Sequence, residues 1–258
     1  MNSVDRALGL LKLFSVDKPV WTAEAAAREL GVSVSQAYRY LNSLAKAGLV
    51  DPAWGMAGFL LGPAITEYDR LIQACDPMLQ AARPIMEDLS AQGPGSATVL
   101  LCRRHRDLVM CVSQVVGRAP QAPISYERGR PMPMLRGASS KVILANLPAR
   151  AAKRFYAEHG AEARAAGMGA DWTEFSAGLQ RIRRQGHAVS MGEIDPGRVG
   201  LAAPIFDVRG GVVGSIGFAL PAAEADDRQI RWLTPLIIAA ARAIEAAMSP
   251  AAAVSLVA

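Results

Sequence analysis

The chain has 258 residues, of which 51% are hydrophobic and 20% charged, so it is long enough for two domains and is not a disordered protein. Its net charge of +5 permits a nucleic-acid partner without establishing one. No apolar run reaches the roughly 18 residues of a membrane helix, and the N-terminus has no export signal, so we expect a cytoplasmic protein that does not enter a membrane.

The first helix is predicted over residues 3–15, because five apolar residues recur there at helical spacing: Val4, Ala7, Leu8, Leu11 and Phe14. Thr22 then caps a second helix, which ends where Gly31 supplies a left-handed turn. Ser33 and Gln36 form a capping box, which predicts the start of a third helix.

Two short helices joined by a glycine turn indicate a helix-turn-helix. Ala27 is small enough for the two helices to cross closely. The second helix of such a pair enters the major groove of DNA. Residues 49–61 then form two strands around a turn, which we interpret as a wing. Residues 1–62 are therefore predicted to be a winged helix-turn-helix domain.

The polar face of the third helix has the residue types that bind DNA. Arginine pairs with guanine, glutamine and asparagine pair with adenine, and serine and lysine reach phosphates. The predicted DNA-binding residues are Ser33, Ser35, Gln36, Tyr38, Arg39, Asn42, Ser43 and Lys46. The alternative is a small helical domain whose polar face is only solvated. Residues 51–58, at the wing tip, contain no lysine or arginine, which does not favour arginine reading of a minor groove.

The basic excess lies outside this domain. Residues 1–62 have a net charge of +1, whereas residues 103–154 have eleven Lys/Arg against two Asp/Glu, a net charge of +9. Within them, the basic turn 103–107 separates two predicted strands, 97–102 and 108–112. This turn is either a second nucleic-acid patch or a solvated hairpin tip, and we favour the hairpin tip.

A long helical stretch over residues 65–89 is predicted to be interrupted at Pro77 and Pro84. Its first part, within residues 63–76, is interpreted as a linker helix that pairs with a partner. Residues 77–250 form the second domain and residues 251–258 a frayed tail. This domain includes a strand at 212–220 and a closing helix at 230–247, bent at Pro235.

Residues 136–141 precede the apolar helical segment 142–145. Backbone N–H groups at a helix N-terminus bind anions, and Arg136 could add a bidentate partner for a carboxylate. Our hypothesis is that a ligand carboxylate docks at Ser139 and Ser140 with Arg136. The alternative is a capped helix without a ligand.

The sequence contains no P-loop, GxSxG, HExxH or paired Cys/His spacing, and its three histidines lie far apart. We therefore expect no catalytic residue, metal, cofactor or enzymatic activity. The cysteines, Cys75, Cys102 and Cys111, are odd in number and without CxxC spacing, so we interpret them as reduced core thiols. The competing functions are a small-molecule-binding protein, or an enzyme of carboxylate metabolism, without DNA binding.

The chain resembles the IclR family of bacterial regulators along essentially its whole length. The matching segments are 4–11, 25–35, 38–44, 48–50 and 59–62, then more loosely Pro133-Met134, Ser140-Lys141, Leu144-Ala145, 184–187 and 200–207. The resemblance implies a winged helix-turn-helix, a linker helix and a GAF-like α/β (α+β) domain that binds an effector. It also implies operator DNA as a partner and a homodimer or a tetramer.

The resemblance further implies which residues line the effector pocket. They are Met134, Arg136, Ala138, Ser139, Ser140, Ser190, Gly200, Gly217 and Ala219. Several relatives have polar residues where this chain has Gly217 and Ala219, so we expect a roomier and less polar pocket that favours an aromatic carboxylate. Effector binding would shift the population of dimer arrangements and so the spacing of the recognition helices.

Overall fold

A computed structural model describes residues 3–119 and 124–249. The predicted tail, residues 251–258, lies outside this part of the chain. Contacts within the chain divide it into two compact units, Met1–Asp76 and Pro77–Ala258, and each is described here by itself. Among the residues described, no helix has the length and apolar content needed to cross a membrane.

The first unit contains four helices and a two-stranded hairpin within its described residues. Its elements are α1 (Ser3–Leu10), α2 (Ala23–Leu30), α3 (Val34–Lys46), β1 (Val50–Pro52), β2 (Phe59–Leu61) and α4 (Ala64–Cys75). Strands β1 and β2 pair antiparallel. Leu10, Trp21, Leu41 and Val50 meet in one buried cluster. The predicted winged helix-turn-helix is therefore confirmed.

The first helix is shorter than predicted, because α1 ends at Leu10 rather than near residue 15. The chain continues in tighter turns, in which Lys12 and Leu13 donate backbone hydrogen bonds three residues back. The Leu13 carbonyl accepts a hydrogen bond from the Trp21 indole N–H at 3.0 Å. Phe14 still packs against the same core, so its apolar side chain fitted the helical pattern although it lies beyond the end of α1.

Helix α4 occupies the region where the linker helix was predicted. None of its residues is buried. Ile65, Tyr68, Leu71 and Ile72 are each between 37% and 53% exposed. This helix therefore presents apolar side chains that the described chain does not cover.

The second unit is built on one sheet of six strands. Its elements are α5 (Pro77–Gln92), β3 (Thr98–His105), β4 (Leu108–Val116), β5 (Pro131–Pro133), α6 (Ala138–Ala145), α7 (Ala149–Ala165), α8 (Trp172–Gln185), β6 (Ala188–Met191), β7 (Arg198–Phe206), β8 (Val212–Pro221) and α9 (Asp227–Ala247). The strand order is β5-β4-β3-β8-β7-β6, and the neighbouring strands run antiparallel.

Both faces of this sheet are covered by helices. Val99 and Leu101 point into a core shared with α5 and α9. Leu100 and Cys102, between and after them, point into a second core shared with α6, α7 and α8. Strand β3 therefore has apolar residues on both faces. The predicted mixed fold, α+β with a GAF-like second domain, is confirmed.

Two predictions for this unit were wrong in detail. Pro84 does not interrupt α5, because a proline removes one helical hydrogen bond while buried residues on both sides of it hold the helix to the core, including Met78, Ala82 and Met86. The basic run 103–107 is not all turn. Strand β3 continues through His105 and pairs it with Leu108, so only residues 106 and 107 turn.

Candidate functional site

The turn between α2 and α3 is set by residues close together in the sequence. The Thr22 hydroxyl accepts a hydrogen bond from the Ala25 backbone N–H at 3.2 Å and caps α2. Gly31 ends α2 with φ of 64°, in the left-handed region that glycine adopts without strain. Ser33 and Gln36 close the predicted capping box, since each side chain accepts the other's backbone N–H at 3.2 Å.

Small buried residues lie where these two helices cross. Ala27 on α2 and Ala37 on α3 are 4% and 0% exposed. The Ala27 carbonyl also accepts a backbone hydrogen bond from Val32 at 3.0 Å, which holds the turn against the end of α2. The close crossing fixes the direction in which α3 leaves the turn, and with it the side of α3 that stays outside.

The outer side of α3 carries the predicted DNA-binding residues. Ser33, Ser35, Tyr38, Arg39, Ser43 and Lys46 are exposed, and Gln36 and Asn42 are half-buried. The structure therefore brings all of the predicted residues to one helix face, opposite the buried Leu41 and Leu44. The Ser43 hydroxyl donates to the Arg39 carbonyl at 2.9 Å, so its proton is already used within the helix.

The wing is tied to the segment before α2. Trp21 and Phe59 exchange two backbone hydrogen bonds of 2.9 Å, which adds a third extended segment beside β2. At the tip, Trp54 and Met56 are 93% and 61% exposed. The tip thus presents apolar side chains in place of the lysine or arginine that the sequence lacks there.

The second unit contains a small cavity beside the N-terminus of α6. Its volume is about 40 Å³. It is lined by Leu100, Tyr126, Gly137, Ala138, Ser139, Ser190, Glu193, Ile194, Asp195, Arg198, Val199, Gly200, Phe218 and Ala219. This volume is smaller than that of the roomy pocket expected from the sequence, and Leu100 and Phe218 are among the side chains that line it.

The backbone N–H groups at the start of α6 are already occupied. Gly137 donates to the Glu193 carboxylate at 3.0 Å. Ala138 donates to the Ser190 hydroxyl at 3.0 Å. Lys141 forms an ion pair with the same Glu193 carboxylate. At this helix end the chain therefore binds a carboxylate of its own.

The predicted pocket residues separate into two groups. Ala138, Ser139, Ser190, Gly200 and Ala219 line the cavity, whereas Met134, Arg136, Ser140 and Gly217 do not. Met134 is buried in the core and Arg136 is exposed.

Ser140 and Gly200 act on the site through other groups. The Ser140 hydroxyl hydrogen-bonds with the Tyr126 phenol at 2.9 Å. Burial raises the pKa of Tyr126 above its ordinary value, so this phenol keeps its proton well above neutral pH. A side chain at Gly200 would place its Cβ 2.7 Å from the Ser190 Oγ, so glycine leaves room for Ser190 to reach α6.

The sequence analysis did not identify Tyr126, Glu193, Asp195 and Arg198 as part of the site. Glu193 and Asp195 lie in the loop between β6 and β7. Asp195 anchors that loop, because its carboxylate accepts hydrogen bonds from the backbone and the hydroxyl of Ser125. The available signal was the acidic pair three and five residues after Ser190. The residues that this pair contacts are distant in the sequence, so the signal did not identify them.

Comparisons with known proteins cover both units. The family model described as IclR helix-turn-helix domain matches residues 3–52, and the model described as bacterial transcriptional regulator IclR C-terminal matches residues 74–246. The transcriptional regulator BhcR of Paracoccus denitrificans is 24% identical over 250 residues, which are 97% of this chain and 88% of BhcR. KipR of Bacillus subtilis is 23% identical and covers 90% of this chain and 91% of its own length.

Solved structures have the same fold. An IclR transcriptional regulator from Alicyclobacillus acidocaldarius superposes with a TM-score of 0.78 at 22% identity, covering 96% of this chain and 98% of its own. An IclR homologue from Microbacterium hydrocarbonoxydans, complexed with 4-hydroxybenzoate, gives 0.72 at 18% identity and covers 96% and 99%. The curated relatives are named as transcriptional regulators, not as enzymes. This chain therefore belongs to the IclR family of bacterial transcriptional regulators, with a DNA-binding helix-turn-helix domain and a C-terminal effector domain.

Proposed function

We propose that this regulator binds its operator by placing α3 in the major groove. The observation that carries the proposal is the exposed polar face of α3, which lies opposite a fully buried face of the same helix. Arg39 lies near the middle of that face, with Asn42 one turn further on, so both are placed for base edges. Ser35 and Lys46, towards the two ends, are placed for phosphates.

The test is an operator-binding measurement with the DNA upstream of the regulator's own gene. Arg39→Ala is expected to weaken specific binding by about 5- to 150-fold, since one bidentate arginine–guanine contact contributes about 1–3 kcal/mol of discrimination. Arg70→Ala, which removes an exposed arginine from α4, is the matched control and keeps the affinity. Full operator affinity of Arg39→Ala would contradict the assignment of α3. Binding to no DNA at all would favour a small-molecule-binding protein.

The second part of the proposal is that the effector is a carboxylate, with an aromatic acid favoured. Support comes from the start of α6, where Gly137 already donates to the carboxylate of Glu193. An effector carboxylate would take the same N–H groups. Leu100, Ile194 and Phe218 line the cavity and offer apolar surface to a ring. The structural neighbour complexed with 4-hydroxybenzoate is a precedent within the same fold.

The size of the cavity requires movement on binding. A volume of about 40 Å³ has room for roughly two or three water molecules. Small-molecule pockets occupy about 300–1,000 Å³. An aromatic acid therefore binds only if the Glu193 side chain, with its loop, moves away from α6.

A thermal-shift screen of benzoate, 4-hydroxybenzoate, pyruvate and acetate tests the effector class, followed by calorimetry on the hit. Arg198→Ala removes a cation that lines the cavity and is expected to weaken binding about tenfold or more. Arg136→Ala removes an exposed arginine outside the lining and serves as the matched control. If only Arg136→Ala weakens effector binding, the carboxylate binds at the site expected from the sequence, with Arg136.

The regulator is further proposed to act as a homodimer, or as a tetramer built from dimers. Support comes from α4, whose Ile65, Tyr68, Leu71 and Ile72 are exposed and suit pairing with the same helix of a second copy. Effector binding would then change the spacing of the two α3 helices and the fit to the operator half-sites. Ile72→Lys is expected to weaken the assembly, which light scattering measures. An unchanged assembly would show that α4 is not part of the interface.

A further inference from the structure

Cys102 and Cys111 lie opposite each other on adjacent strands. A bulge between Leu101 and Cys102 shifts the register of β3 against β4, so that Leu101 faces Ser113 whereas Cys102 faces Cys111. Without the shift, Val112 would face Cys102. Both cysteines belong to the same buried cluster and therefore point to the same side of the sheet. The bulge thus brings together two thiols that the regular pairing would keep apart.

The distance between these strands suits a covalent bond. Opposed residues of antiparallel strands have Cα atoms about 4.5 or 5.5 Å apart. Disulfides form across Cα separations of roughly 4.4–6.8 Å. Both thiols are free in this structure. Directly opposed residues such as Cys102 and Cys111 are therefore expected at a spacing that a disulfide can bridge.

The two thiols are not equivalent. The contact with Cys102 contributes most to lowering the pKa of Cys111, the positive charge of Arg128 adds to this effect, and burial opposes it. The same contact, together with burial, raises the pKa of Cys102. Cys111 is therefore the thiol that more readily becomes a thiolate, which is the nucleophilic form of cysteine.

We propose that Cys102 and Cys111 are a redox pair that hydrogen peroxide closes to a disulfide. Cys111 gives up its proton, and its thiolate attacks one peroxide oxygen; the S–O bond forms, the O–O bond breaks, and the released hydroxide takes the Cys111 proton to leave as water. The Cys102 thiol then attacks the Cys111 sulfur; the S–S bond forms, the S–O bond breaks, and hydroxide leaves with the Cys102 proton as a second water. The two thiols are oxidised and one peroxide is reduced.

Neither cysteine lines the cavity beside α6, but both belong to the same buried cluster as Leu100 and Tyr126, which do line it. Both cysteines are 0% exposed, so peroxide must enter from an interior space. The side chain of Ser139, which lines the cavity, partly offsets the rise in the pKa of Cys102 and so lies beside its thiol. Room for roughly two or three waters accommodates one peroxide molecule. Disulfide formation also withdraws the Cys102 thiol from Ser139, so oxidation reaches the wall of the cavity.

Mass spectrometry of the full chain tests the pair directly. In a Cys75→Ser background, which removes the exposed third thiol, peroxide is expected to cause the loss of two hydrogen atoms. The oxidised chain then gains no maleimide after denaturation. If the chain is treated with peroxide while folded and still gains two maleimides after denaturation, the proposal is overturned.

Single variants assign the order of the two steps. With Cys102→Ser, Cys111 is expected to stop at a sulfenic acid that dimedone traps. With Cys111→Ser, Cys102 is expected to stay reduced under the same treatment. Dimedone labelling of Cys102 instead of Cys111 would overturn the assigned order. The disulfide measurement itself needs neither variant, so a variant that fails to fold leaves that test intact.

Discussion

Helices α3 and α6 begin in opposite ways. The first N–H groups of α3 are satisfied three residues away, by the Ser33 and Gln36 capping box. Those of α6 are satisfied by Ser190 and Glu193, which lie 52 and 56 residues further along the chain. A locally capped helix can present its outer face to a partner without changing itself. A helix capped from a distance has contacts that a ligand can take over.

The largest expected effect comes from adding a methyl group to the glycine before each helix. At Gly31 a Cβ would meet no atom within 4 Å, so Gly31→Ala costs only left-handed strain, about 1–2 kcal/mol. At Gly137, with φ of 82°, a Cβ would also lie 2.6 Å from the Tyr126 phenol oxygen. Overpacking adds about 1–3 kcal/mol to the strain there.

Hydrogen exchange resolved by segment measures both variants, because it follows each of the two compact units separately. Gly31→Ala is expected to speed exchange in α2 and α3, and Gly137→Ala more strongly in α6. Equal losses of exchange protection in the two variants would show that the contact with Tyr126 adds no cost at Gly137.

The next effect concerns the carboxylate on α6. Glu193→Ala removes the internal competitor from Gly137, so the affinity for a carboxylate effector is expected to rise about tenfold, or 1.4 kcal/mol. Calorimetry with the acid selected by the thermal-shift screen measures the change. Glu87→Ala, an exposed acid on α5, is the control. Weaker binding by Glu193→Ala would mean that Glu193 holds the effector instead of competing with it.

The smallest effect is expected at the cap of α3. Ser33→Ala removes the hydroxyl that accepts the Gln36 N–H and is expected to lower stability by about 1 kcal/mol. Ser35→Ala, exposed on the same helix, is expected to change stability by less than about 0.5 kcal/mol. Hydrogen exchange in α3 compares them. A similar loss for both serines would show that the cap contributes nothing particular.

The same contrast explains what could be predicted from the sequence. The turn from Thr22 to Gln36 was predicted because each of its signals acts within about one helical turn. Helix α8 carries comparable signals, an Asp171 cap and Gly186 at its end, which were available but not used. Helix α7 has no side-chain cap, so its start offered no such signal.

The pocket could be predicted only in part. The resemblance pointed to Ser139 and Ser190, and both line the cavity. The role of Glu193 depends on β6 lying beside α6. The sequence of the loop gives no indication that α6 is its neighbour in the fold. The position of Arg136 could not be predicted either, because one residue before Gly137 the chain already faces outward.

The apolar tip of the wing has a practical consequence. Trp54 is 93% exposed, whereas Trp21 in the same unit is 4% exposed. An indole in contact with water changes its emission when another surface covers it, and a buried one changes little. The hairpin therefore carries its own optical label, and titration with an operator can be followed by intrinsic fluorescence without attaching a dye.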